Sequence, residues 1–130
     1  MFRYQWPVLC LAALLNLSAP VHAQDMGPDA QLRFFATCAG RLAASIEREW
    51  EETGAISALS TRQRDAVGEI VAAIATREMS RDVLIWRNNA KDAQYALLGR
   101  ALGSQDAKEA AWAARRAQEL RQECTEMLLG

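Results

Sequence analysis

From Leu32 to Met127 the apolar residues recur every three or four positions, and no segment alternates in the strict two-residue period of a half-buried strand. That single pattern confines the chain to an all-α fold. The first stripe is Leu32, Phe35, Ala39, Leu42, Ile46 and Trp50. It predicts a helix over Asp29–Thr53, entered at Gly27-Pro28 and stopped by Gly54. A second helix is expected from Ser60, whose spacing to Gln63 suits a capping box, with Val67, Ile70, Val71 and Ile74 facing the core. Its end is expected near Met79, where the sequence leaves open whether the second and third helices are continuous.

Ser80 can cap a third helix, with Met79 and Leu84 placed as a hydrophobic staple around it. Its stripe is Val83, Trp86, Ala90, Ala93, Leu97 and Ala101, and Gly103 ends it. Ser104 or Asp106 starts a fourth helix, whose face is Ala110, Ala113, Ala117, Leu120, Cys124 and Met127. Short loops between long helices favour antiparallel neighbours. The expected architecture is therefore a small antiparallel four-helix bundle spanning 29–130, with alanine-rich seams.

Residues 1–23 have the layout of a secretory signal. Arg3 is followed by an apolar run from Val8 to Leu17, then Pro20 and the small-residue site Val21-His22-Ala23. The apolar run is about half the ~20 residues needed to cross a bilayer, so no stable membrane anchor is expected after cleavage. Cys10 belongs to this segment and lacks the small preceding residue of a lipid-attachment site. Residues 24–28 read as a linker, and the expected location is the periplasm.

Cleavage after Ala23 removes His22, the sole histidine, and leaves Cys38 and Cys124. An even pair of cysteines in an exported chain reads as a disulfide; the rival reading is two free buried thiols. In an up-down-up-down bundle the first and last helices run side by side in opposite directions. Cys38 near the start of one and Cys124 near the end of the other then fall at the same end.

Composition removes several function classes from consideration. The expected mature chain carries 14 basic and 16 acidic residues, without the basic excess of a nucleic-acid binder. Without histidine, two distant cysteines do not make a zinc site, and no Asp-rich calcium loop occurs, so neither a metal nor a cofactor is expected. Nucleophilic catalysis lacks its usual base. The reading is a non-enzyme.

Three surface groups are candidates for meeting a partner. Glu47, Glu49, Glu51 and Glu52 surround Trp50 at the end of the first helix, where the dipole disfavours acids. The plain alternative is a solvated face with Trp50 turned inward. Trp86, Arg87, Lys91 and Tyr95 place two bases and a phenol on one side of the third helix, able to hold a carboxylate or phosphate. Here the plain alternative is a polar outer face whose Tyr ring covers core. Trp112, Arg115 and Arg116 match local cation–π packing or a binding hot spot, against a plain role for the tryptophans as core volume.

The stretches Phe35-x-x-Cys38-Ala39-Gly40-Arg41-Leu42, Val83-Leu84-x-Trp86-Arg87 with Ala90-Lys91, and Trp112-Ala113-Ala114-Arg115-Arg116 leading to Cys124 span most of the mature chain. In these the sequence resembles a group of small exported helical two-cysteine proteins of alphaproteobacteria. The resemblance implies a helical periplasmic protein and supplies no active site. In layout alone the chain is also similar to small acid-activated periplasmic chaperones. The expected function is non-catalytic binding of another envelope protein or ligand; the alternative is a stress chaperone, and a small enzyme comes third.

Overall fold

The computed structural model describes residues 26–129. The expected signal peptide, its cleavage site, Cys10 and His22 lie outside the described residues. Within them the chain forms four helices and no strand: α1 (Pro28–Thr53), α2 (Ala58–Ile74), α3 (Ser80–Gly103) and α4 (Ala107–Glu126). The all-α expectation holds, and the helices gather into a bundle.

Local chemistry sets most of the helix ends. Pro28 opens α1, where its missing N–H costs nothing. Gly54 closes it with φ 70°, a left-handed conformation that glycine adopts without a Cβ penalty, and its N–H bonds the Trp50 carbonyl. Asp106 caps α4 by accepting from the N–H groups of Lys108 and Glu109.

Two caps differ from expectation. Ser57, not Ser60, caps α2: its Oγ accepts from the Ser60 N–H at 3.1 Å, and Ser60 is instead buried inside the first turn. Ser80 does not cap α3, because its hydroxyl donates backwards to the Arg77 carbonyl. The second helix also stops at Ile74 rather than near Met79, and α2 and α3 are separate. After Ile74 the positions due on the buried face are Arg77 and Glu78, which have nothing apolar to bury. Ala75 turns extended, and Thr76 to Met79 close a turn.

The helices do not sit at the corners of a square. α1 is central: it packs most extensively on α3, also carries α2, and touches α4, while α3 pairs with α4. The α1–α3 seam is close because Ala36, Gly40 and Ala44 repeat at four-residue spacing and are all fully buried. At Gly40 the Arg87 carbonyl lies where a Cβ would stand.

Two buried clusters result. Cys38, Leu42, Val67 and Cys124 join α1, α2 and α4, flanked by Phe34, Ala39, Val71 and Leu128. Leu97, Ala113 and Ala117 join α3 to α4. Cys38 and Cys124 are bonded, with Cα atoms 5.4 Å apart, which decides against free thiols.

Helices this close leave little room between them for large rings. Trp50 is 57% exposed and Trp112 48% exposed, so neither supplies core volume, and Trp86 is half-buried. On the third stripe the buried position is Gln94 rather than Ala93, which is exposed. No described helix is long and apolar enough to cross a membrane.

Candidate binding cleft

Two of the groups singled out by sequence turn out to face each other. Lys91 Nζ meets Glu47 at 2.7 Å, and the Tyr95 hydroxyl donates to Glu51 at 2.6 Å. Arg48 lies 3.7 Å above the Tyr95 ring while its Nη1 reaches Glu51 at 3.0 Å. Arg33 stands 5.7 Å over the Trp86 ring, and Arg87 lends its backbone to the Gly40 crossing. Glu47 and Glu51 of α1 are thus paired with Lys91 and Tyr95 of α3 along one seam. Lys91 and Tyr95 form part of the packing and are committed within the chain.

The Glu51 carboxylate raises the Tyr95 hydroxyl above the ordinary phenol value, since it stabilises the protonated form. The third group lies apart on α4, where Trp112 and Arg115 are exposed and Arg116 pairs with Glu119 at 3.3 Å. The cation–π pairs found among the described residues are Arg33–Trp86 and Arg48–Tyr95, so Trp112 does not stack as its spacing suggested.

A cleft of about 680 Å³ opens elsewhere, where the end of α1, the start of α2, the second half of α3 and α4 converge. α1 contributes Ser45, Arg48, Glu49 and Glu52 at three- and four-residue steps. α2 adds Leu59, Ser60 and Gln63. From α3 come Gln94, Leu98, Ala101 and Leu102, and α4 faces them with Ala114, Ala117, Gln118 and Arg121. The cleft exists because α2 packs on α1 rather than on α3, and because the α3–α4 side is lined by alanines.

The polar groups of the cleft have unequal partners. Glu49 accepts from the Ser57 N–H at 2.8 Å. Hydrogen bonds from the Ser60 side chain and the Ser57 backbone hold its carboxyl below the usual range, and the charge of Arg121 adds to this. A carboxyl lowered in the folded state contributes stability above its unfolded value, and loses it as pH falls through the folded one. Acid unfolding followed by circular dichroism should therefore show Glu49→Gln flattening the decline below about pH 4. An unchanged acid profile would remove Glu49 from that role.

Arg121 reaches Ser60 Oγ at 3.4 Å and Gln63 Oε1 at 3.5 Å, with no carboxylate within 4.0 Å among the described residues. Gln94 is only 2% exposed; its Nε2 donates to the Ala117 carbonyl at 2.9 Å, and its Oε1 has no partner. A buried acceptor left unpaired costs about 1–3 kcal/mol.

Of the sequence-derived partner candidates, Glu49 and Glu52 of the acidic group line this cleft, and none of the candidates on α3 and α4 does. The signal for it was weak: the steps 90, 94, 97, 101 are as regular as 90, 93, 97, 101, so periodicity alone could not choose Gln94 over Ala93. Compared with protein-family models, with curated proteins and with solved structures, the chain matches none. Among the described residues no group of three or more His, Cys, Asp or Glu is placed to hold a metal ion.

Proposed function

We propose that this is a non-catalytic binding protein of the bacterial periplasm, exported by residues 1–23, which receives an envelope component in the α1–α4 cleft. The observation that carries the reading is Gln94, a buried amide left half-paired on the wall of a cleft whose volume falls in the ~300–1,000 Å³ typical of ligand sites. Proteins seldom leave a buried acceptor unsatisfied without a use for it. The Cys38–Cys124 bond is compatible with an oxidising compartment.

We read the chain order as up-down-up-down. Contacts supporting it run in opposite order between α1 and α4, where Cys38 meets Cys124 while Arg41 reaches Leu120 and Glu123. They run in the same order between α1 and α3, from Arg33–Trp86 through Glu47–Lys91 to Arg48–Tyr95. The motif resemblance to exported alphaproteobacterial proteins agrees with the location and adds no site.

The test is a comparison of two variants in periplasmic extract. Ala114→Trp places an indole in the cleft, whereas Trp112→Ala changes only the outer face of α4. An envelope component that co-purifies with the parent should be retained by Trp112→Ala and lost by Ala114→Trp. Retention by Ala114→Trp would overturn the assignment of the cleft.

A further inference from the structure

We infer that the cleft recognises a neutral amide, an N–H and a C=O side by side, carried on an apolar body. This rests on the cleft being the binding site and adds the chemistry of what it holds.

Among the described residues two buried side-chain polar atoms lack a hydrogen-bond partner, Gln94 Oε1 and Arg48 Nε. Both residues line the cleft. They are also neighbours: Arg48 Nη2 donates at 3.4 Å to the carbonyl of Tyr95, the residue after Gln94. Gly99, one turn further along α3, leaves room for that guanidinium, since a Cβ there would stand 2.7 Å from Nη2. The rest of each side chain is engaged, Gln94 Nε2 by the Ala117 carbonyl and Arg48 Nη1 by Glu51. One acceptor and one donor are left over. An amide answers both, its N–H to Gln94 and its C=O to Arg48.

Charge sets no competing preference. The charged side chains of the lining are Arg48, Arg121, Glu49 and Glu52, two of each sign. Glu52 is exposed and can be served by water, and Arg121 already donates to Ser60 and Gln63. The two buried atoms have no such recourse, so they discriminate between ligands. An ammonium only donates and a carboxylate only accepts, and each would leave one of the two unmet. Leu98 and Ala101 of α3, with Leu59 and Leu102 exposed beside them, suit the apolar body.

The experiment titrates the purified disulfide-bonded protein with hexanamide, methyl hexanoate, hexylammonium chloride and sodium hexanoate, followed by NMR. Hexanamide is expected to shift the Gln94 side-chain amide and the Arg48 Nε–H signal. The ester, which lacks the N–H, should bind about tenfold more weakly, and the two ions no better than the ester. Gln94→Met removes the acceptor and should weaken hexanamide binding about tenfold. Gly99→Ala should do the same with the fold intact, because its methyl meets only the mobile tip of Arg48. It carries the test if Gln94→Met does not fold. N-acetyl-leucine N-methylamide separates the sources: tighter binding than hexanamide assigns the amide to a peptide chain, and weaker binding to a small free amide.

No binding of hexanamide, an ester or ion binding as tightly, or Gly99→Ala binding like the parent would overturn the amide while leaving the cleft as a site. Undiminished hexanamide binding by Ala114→Trp would overturn the cleft itself.

Discussion

A single methyl group added at Gly40 is expected to destabilise the protein by about 3 kcal/mol or more, and to lower its melting temperature by at least ~10 °C. The Cβ of Gly40→Ala would fall on the Arg87 carbonyl and lie 2.9 Å from the Lys91 nitrogen. Both obstacles are backbone, so no side chain can swing aside. The helices must separate instead, and the contacts of Ala36 and Ala44 along the same seam go with them. Separation also strains the Lys91–Glu47 pair and the Tyr95–Glu51 hydrogen bond, which span it.

Glycine is not needed there for its conformation: among the described residues only Gly54 has a positive φ. The cost is therefore one of space. Gly68→Ala is the matched control, since nothing lies within 4 Å of a Cβ on that exposed face of α2. By helix propensity alone it should add about 0.5–1 kcal/mol. Opposite signs for the two substitutions in thermal melts check the argument, and a Gly40→Ala protein as stable as the parent would refute the close seam.

Removing the disulfide is the second large effect. A bond closing a sequence separation of 86 residues contributes about 4–5 kcal/mol on the chain-entropy estimate. That is a major share of the ~5–15 kcal/mol that holds a domain together. The double variant Cys38→Ala with Cys124→Ala should lose most of this in urea unfolding. Both sulfurs are buried, so dithiothreitol should reduce the native bond slowly and faster as urea opens the bundle. Equal urea midpoints for the parent and the double variant would show that α1 and α4 hold together without it.

The fold class and most helix ends were legible because each rests on local chemistry. Gly54 and Asp106 act within one turn of where they stand, and a reader of the chain can see them. The tryptophans misled because apolar spacing reports a face but not the room beside it. Once Gly40 lets α1 and α3 meet at backbone distance, a thin core built mostly of small and aliphatic side chains, with Phe35 as the buried ring among the described residues, leaves the indoles of Trp50 and Trp112 outside.

The engagement of Lys91 and Tyr95 within the chain was hidden for a related reason. Glu47 and Glu51 answer Lys91 and Tyr95 across a gap of more than forty positions, a pairing that no spacing within one helix announces. The cleft was hidden more thoroughly still. It arises from where α2 fails to reach α3, a property of the assembled bundle.

The central position of α1 has a consequence for how the chain comes together. Its partners on α3 and α4 lie tens of residues downstream, and its covalent partner is on the last helix. A chain emerging from its N-terminus presents its hub first and finds nothing to close around it. Only the α1–α2 hairpin is available early, and it buries little beyond Val67 from the second helix. The locking event waits for α4. Until then the bond that ties α1 to α4 cannot form, and the hub stays without its covalent lock.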